Sequence, residues 1–442
     1  MRIGLVAMSG IRACDPELLR LGLTLPGFVE RSKTIASLPS LGLLTLAGLT
    51  PAPHECVYVE VEDIRQLERP PDGFDLVAIS SFSAQIAEAY ALADQYRALG
   101  VPVVLGGLHV TALPGEAARH ADAVVVGEGE PVWPAVLQDA EAGQLQPCYR
   151  SNGRYPLDQS PLPAFELLDL AKYNRLTVQA SRGCPWHCEF CASSILLSPH
   201  YKQKPAERVL AEIDRIRSLW PRPFIELADD NAFVNKRYWK PLLSELRGRH
   251  VRWFAETDLS IHEDEELLGL MRDSGCAEVL IGLESPVADG LAGLELRSDW
   301  KRKRWPEYRE AVARIQSHGI RVNGCFVLGL DGHTPAVFDA VYEFAVETEL
   351  FDVQITIQTP FPGTPLYDRL RREGRLLYDG QWERCTLFDI NYRPQPMTVE
   401  ELRAGLHDLG VRLYGEELTQ WRKENFNRKY LRPARRAEEA ES

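Results

Sequence analysis

Two successive series of short apolar runs, each run followed by a helical segment, constrain this chain more than any other feature. In the first series the strand-like runs fall at 2–8, 54–61, 75–80, 101–105 and 121–126, with helical segments at 41–49, 84–99 and 131–142. In the second they fall at 176–180, 224–227, 251–256, 278–283, 321–328 and 352–359, with helical segments at 206–219, 238–248, 264–274, 306–318 and 336–349. Alternation of this kind predicts parallel sheets, because two parallel strands need a connection long enough to hold a helix. The stretch 147–163, rich in proline and polar residues, separates the series as a surface connector. The expected plan is an α/β domain over 1–145, a linker over 146–172, a second α/β body over 173–375, and a small helical region over 376–442. A chain of 442 residues exceeds what one core holds, in keeping with that division.

The first series reads as a doubly wound, Rossmann-like sheet. Such sheets bind ligands beyond the carboxyl ends of their strands, and small residues gather there: Ser80-Ser81-Phe82-Ser83, Gly106-Gly107 and Gly127-Glu128-Gly129-Glu130. Glycine lets a ligand approach the backbone, and serine offers a small donor; tight turns alone would explain the same glycines. The second series has six strand–helix steps, short of the eight of a closed barrel. Its strand ends carry Asp229-Asp230-Asn231, Glu256 and Glu284-Ser285.

Directly after its first strand lies Ser181-Arg182-Gly183-Cys184-Pro185-Trp186-His187-Cys188-Glu189-Phe190-Cys191. Thiolates spaced C-x3-C-x2-C on one turning loop can converge on one soft metal centre. A four-iron, four-sulfur cluster wants four ligands, usually cysteine, so three leave one iron open to a small molecule. Structural zinc would want a fourth Cys or His, and His187 lies inside the motif.

This spacing, with an aromatic residue before the last cysteine, resembles the signature of the radical S-adenosylmethionine (SAM) superfamily. The resemblance implies a partial (β/α)6 barrel. It also implies that Cys184, Cys188 and Cys191 hold a 4Fe-4S cluster whose open iron chelates SAM and cleaves it to a 5′-deoxyadenosyl radical. By the same resemblance Phe190 stacks near the adenine, Asp229 faces the SAM amino group, and Glu256, Glu284 and Ser285 lie near the ribose. A helix cap or salt bridge is the plainer reading of those carboxylates. The segment Pro360-Phe361-Pro362-Gly363-Thr364-Pro365 resembles the last-strand loop of B12-type radical SAM enzymes and places Phe361 at the adenine pocket.

The first series resembles a cobalamin (vitamin B12)-binding domain. Ser81, Ser83, Gly106 and Gly107 match the places that cradle the cofactor's nucleotide tail, and Gly127-Glu128 matches the following loop. The D-x-H-x-x-G motif, whose histidine ligates cobalt, is absent: the loop after the first strand reads Met8-Ser9-Gly10-Ile11-Arg12-Ala13-Cys14-Asp15. His109, after the Gly-Gly, reads as a loop or tail contact. Together the resemblances imply a cobalamin-dependent radical SAM methyltransferase. Its substrate would be an unactivated carbon in a small molecule or lipid, and its reductant an external flavodoxin- or ferredoxin-type donor. Three alternatives stay open: a cyclase or rearrangement enzyme with the same cofactors, a tRNA methylthiotransferase, and a non-enzymatic B12 or iron–sulfur sensor.

Composition narrows these. A formal net charge of −13 argues against a nucleic-acid partner. No apolar run approaches the roughly 18–20 residues of a membrane span, and the N-terminus reads as a strand rather than a secretory signal. Nine cysteines without a disulfide framework suit a reducing cytoplasm. Cys276 and Cys325 read as small core residues, and Cys14, Cys56, Cys148 and Cys385 have no cluster spacing. The run Lys301-Arg302-Lys303-Arg304 reads as a solvated loop, with contact to an anionic substrate as the alternative. Thr398 with Glu401 reads as the cap of a helix over 400–413. The tail's basic residues (Arg422 to Arg436, with Trp421, Phe426 and Tyr430 between them) read as a frayed helix or a membrane or substrate contact.

Overall fold

In β1 (Arg2–Met8) every residue from Ile3 on is buried, as a strand covered on both faces requires. The computed structural model describes residues 1–21, 38–192, 196 and 200–431. β1 is joined by β2 (Glu55–Val61), β3 (Leu76–Ser80), β4 (Val103–Gly106), β5 (Ala123–Val126) and β6 (Cys148–Arg150), in the order β2-β1-β3-β4-β5-β6. All pairings are parallel, and strand order reverses between β1 and β3. Val6, Val77, Ile79 and Leu105 pack one face under the helix Ile86–Ala98. Ile3, Leu5, Leu76 and Ala78 pack the other, under Leu41–Leu49 and Trp133–Glu141. Residues 148–150, expected in the linker, instead form the sixth strand. Only Tyr149 of the three is buried, so an edge strand this short shows no apolar alternation to read.

The second sheet consists of β7 (Leu176–Val178), β10 (Phe224–Ala232), β11 (Arg252–Thr257), β12 (Cys276–Glu284), β13 (Arg321–Leu328) and β14 (Asp352–Ile357). They lie side by side in chain order, all parallel, and among the described residues β14 does not pair back to β7. This is the open six-strand barrel that the alternation predicts. Ile225, Leu227, Trp253, Ala255, Val279 and Ile281 turn outward into the large core beneath the helices. The alternate positions, including Glu226, Glu256, Glu278, Asn323 and Gln354, form the inner face. A two-strand antiparallel hairpin, β8 (Ser181–Arg182) with β9 (Lys202–Gln203), closes the base of the cysteine loop.

The tail helices are Val399–Tyr414 and Glu416–Phe426. The first is capped as expected: Thr398 Oγ accepts from Glu401 N and Glu401 Oε2 from Thr398 N. On this helix Gly405 rests against Phe338, and a Cβ there would lie 2.0 Å from the ring. Gly405→Ala is therefore expected to destabilise the fold by about 1–3 kcal/mol, read by urea denaturation. The frayed-helix reading of the basic tail is corrected within the described residues. Arg422 and Phe426 are buried, Arg422 lying 3.7 Å from Asp352 at the foot of β14 and Phe426 edge-on to Phe351. Lys429 pairs with Glu349 at 2.8 Å. Helical spacing puts these residues on the face turned to the barrel, a docking that charge alone hides. Arg432, Arg435 and Arg436 lie outside the described residues. Among the described residues no helix is long and apolar enough to cross a membrane.

Candidate active site

The cysteine loop leaves β8 through Gly183, whose φ of +84° is a left-handed turn that favours glycine. Three strand-end residues of β10 hold the loop. Asp229 accepts from Ser181 Oγ and from Ala180 N, and Asp230 accepts from Gly183 N at 2.6 Å. Asn231 Nδ2 lies 3.5 Å from Cys184 Sγ and donates to Asp258 Oδ2 at 2.9 Å. The same Asp258 oxygen accepts from Trp186 Nε1, and Trp186 stacks on Trp300 with ring centres 4.4 Å apart. Farther along, Glu189 receives a bidentate pair from Arg369 (3.0 and 2.5 Å), which ties the loop to the helix after β14. Glu295 accepts from His187 N, Arg297 N and Ser298 N. Burial opposes its ionisation, but these bonds outweigh it and hold its carboxyl down at about 2.

The three thiols neighbour one another. Burial pushes Cys184 up to about 11 and Cys188 higher still, and the sulfur of Cys191 nearby adds to both shifts. Among the described residues no three Cys, His, Asp or Glu side chains already stand in coordination geometry; the structure shows proximity on one loop. A soft three-thiolate donor set with an ammonium beside it fits an anionic iron–sulfur cluster. That ammonium is Lys301, which lowers the pKa of Cys188 and donates to Gly282 O at 2.6 Å and to Glu284 Oε1 at 2.9 Å. The solvated-loop reading of Lys301 is thus corrected: its helix, Trp300–Arg304, turns that one side chain into the barrel mouth.

Several expected site residues are otherwise engaged. Asp229 is buried and serves the loop, and burial pushes its carboxyl up to about 7. Glu284, at a φ of +62°, folds back over Gly282 onto Lys301. Ser285 is fully buried, donating to Val287 O and meeting His333 Nε2 at 2.9 Å. All three thus carry internal bonds: Asp229 to the cysteine loop, Glu284 to Lys301, and Ser285 to its own turn and His333. Phe190 and Phe361 are half-buried at the barrel mouth, and the loop of Phe361 reaches the first domain: a Cβ on Gly363 would meet Ala112 at 3.2 Å.

Glu256 opens into the hollow of the barrel, where its side chain is exposed. Desolvation by the surrounding walls, with the carboxylates of Glu226 and Asp230 nearby, pushes its carboxyl up from 4.5 to about 7. The folded chain therefore holds a proton there that the unfolded chain releases. This group's contribution to stability is full below pH 4.5 and is lost as pH rises to about 7. Glu256→Gln is expected to flatten that loss, measured as the urea midpoint across this pH range.

In the first domain Ser81, Gly106, Gly107 and Gly127 lie together at the carboxyl ends of β3, β4 and β5. Gly107 has a φ of +104°, and a Cβ there would come within 3.2 Å of Ser80 Oγ, so the cradle needs a bare backbone. Ser83 instead turns inward to the buried His109 (3.0 Å), whose other nitrogen faces Glu116 at 3.3 Å. His109 is thereby a core residue rather than a loop contact. The buried carboxylate of Glu128 is taken up by Arg182, Lys202 and Tyr155 N. Lys301, Asn231, Asp258 and Arg182 escaped the sequence reading. Only the acidic-amide triplet at 229–231 signalled any of them.

The Radical SAM superfamily profile matches residues 178–345, the B12 binding domain profile 36–137, and a domain of unknown function (DUF4070) 364–441. An uncharacterized methyltransferase of Synechocystis is 30% identical over 347 residues, 77% of this chain and 64% of that relative, so the chain spans less than two thirds of its length. The bacteriochlorophyllide d C-12(1)-methyltransferase of Chlorobaculum tepidum is 26% identical over 369 residues, 82% of this chain and 79% of its own. In fold, the chain is similar to the radical SAM methyltransferase TsrM of Kitasatospora setae, solved with cobalamin and a 4Fe-4S cluster bound. The TM-score is 0.63 at 15% identity, covering 91% of this chain and 84% of that one. A doubly wound sheet that matches the B12 binding domain, followed by an open barrel that matches the radical SAM superfamily, makes this chain a member of the cobalamin-dependent radical SAM family.

Proposed function

We propose that the protein is a cobalamin-dependent radical SAM methyltransferase that methylates an unactivated carbon of a small-molecule or lipid substrate. The observation that carries this reading is the placement of the three-cysteine loop. It lies at the carboxyl end of the open barrel and is pinned by Arg182 and Lys202 to the carboxyl-end loop of the first sheet. Cys184, Cys188 and Cys191 would hold the cluster, and Ser81, Gly106 and Gly107 the nucleotide tail of cobalamin. When bound, these groups supply an electron for SAM cleavage and a transferable methyl group.

The chain's own work is positional. Asp229, Asp230 and Asn231 orient the cysteine loop, Lys301 offsets its negative charge, and Phe190, Phe361 and the Trp186–Trp300 stack wall the mouth against water. Glu256 offers the barrel hollow a carboxyl that exchanges its proton near neutrality. An external flavodoxin- or ferredoxin-type donor would supply the electrons, and a reducing cytoplasm would suit nine free cysteines.

The test is anaerobic reconstitution with iron, sulfide and hydroxocobalamin, then incubation with SAM and a strong reductant. Retained corrin, 5′-deoxyadenosine and S-adenosylhomocysteine are the expected products of a working enzyme. Absence of corrin would remove cobalamin from the reading, and absence of deoxyadenosine would remove the radical step.

A further inference from the structure

Two cations face each other across the hairpin at the base of the cysteine loop. Arg182, on the strand that opens the loop, lies opposite Lys202, on the strand that closes it. Both reach out of the barrel to one loop of the first domain. Arg182 Nη1 donates to Glu128 Oε1 at 3.1 Å, Arg182 Nη2 bonds Glu130, and Lys202 Nζ bonds the same Glu128 oxygen. The group is enclosed: side-chain exposures are 17% and 14% for the cations and 3% and 8% for the carboxylates. Each member is braced from its own side. Gln179 Oε1 accepts from Arg182 Nε at 2.6 Å, and the carbonyls of Gly153 and Tyr155 accept from Lys202, both at 3.2 Å. Glu128 Oε2 accepts from Tyr155 N at 3.1 Å, and Ser151 Oγ accepts from Glu128 N at 2.8 Å.

Domains joined by a linker move against each other unless their interface is specified. Charge-assisted bonds through a guanidinium fork fix direction as well as distance, and a buried ion pair often adds little net stability, with registry its best-attested use. We infer that Arg182, Lys202, Glu128 and Glu130 are positioning residues that set the separation between the cysteine loop and the cofactor end of the first sheet. The inference rests on the proposed function, since it takes the two loops to carry the cluster and the corrin. A misplacement of about 1 Å can cost a positioned reaction about a hundredfold, so a lock at the root of the loop controls how well the two cofactors meet.

The experiment measures that separation directly. The full chain, loaded with cluster and cobalamin and reduced with dithionite, carries two unpaired-spin centres, the reduced cluster and cob(II)alamin. Pulsed dipolar electron paramagnetic resonance reads the distance between them. Wild type is expected to give one narrow distribution, and Glu130→Gln one broadened by about 1 Å or more, with iron and corrin contents unchanged. Arg182→Lys keeps the charge but loses the fork and is expected to fall between; it carries the test if Glu130→Gln fails to fold. Equally narrow distributions in a fully loaded variant and wild type would overturn the inference alone. Loss of a cofactor from Glu130→Gln while wild type holds both would also overturn it, by assigning the residue to binding. Wild type without corrin would instead overturn the proposed function beneath it.

Discussion

Cys188→Ala is expected to abolish iron–sulfur reconstitution and to lower deoxyadenosine formation by about a thousandfold or more, roughly 4 kcal/mol in barrier. Cys188 is the most enclosed of the three thiols, at 8% exposure, and sits at the middle of the loop. Its carbonyl accepts from Cys191 N at 3.1 Å, and it bridges to Glu295. Removing its sulfur leaves two thiolates, too few to hold a four-iron cluster, and leaves the Lys301 ammonium beside a methyl group. Because a ligating thiol must lose its proton and burial raises the Cys188 thiol, wild-type reconstitution should also proceed faster as pH rises. Cys276→Ala is the control. That thiol is buried on β12 and bonded to Glu278 O, so its loss should cost packing and leave the iron content intact. Iron analysis and the visible spectrum distinguish the two variants.

Lys301→Met is expected to destabilise the fold by about 3–5 kcal/mol, the cost of leaving a buried carboxylate without its partner. Less than a tenth of either side chain in the Lys301–Glu284 pair is exposed, and Glu284 lies directly over Gly282, where a Cβ would come within 2.5 Å of its carboxylate. The same substitution removes a cation that favours the Cys188 thiolate. Stability and cluster content should therefore fall together. A second substitution, Glu284→Leu, separates them. With both charges gone the denaturation midpoint should recover most of the loss, whereas iron content should stay low because the positive charge is still missing. Recovery of both would reduce Lys301 to a structural counter-ion.

The parts of this molecule that depend on local pattern were legible from residue order. The cysteine spacing and the Thr398–Glu401 cap each occupy a few adjacent residues whose physics is local, and the six-strand barrel repeats one local strand–helix pattern from Leu176 to Ile357. The parts that were not depend on which way one side chain of several turns. Lys301 stands in a run of four basic residues that looks uniformly solvated, and only the helix Trp300–Arg304 singles it out. Glu128 sits in a glycine-rich loop at a ligand-binding strand end, yet its carboxylate faces the neighbouring domain. Asp229 and Asp230 are adjacent, and strand alternation sends one to the outer side and the other to the barrel hollow. Arg422 reads as one of many basic tail residues until the last helix docks beneath β14.

The segment before the tail helices also grips the first domain. Trp382 Nε1 donates to Glu116 and its ring meets His109 edge-on, while Asp389 accepts from the backbone of Cys14 and Asp15. On a ribosome these partners emerge far apart in time, 266 residues separating Glu116 from Trp382 and 375 separating Cys14 from Asp389. Domains fold as units, N-terminal first, at about 5–20 residues per second. The nascent first domain must therefore wait tens of seconds with the loop after β1 unclasped, while the barrel is still being made. Birth order thus gives this protein an interval in which its earliest cofactor cradle is formed but open, and that interval ends when residues 382–389 arrive.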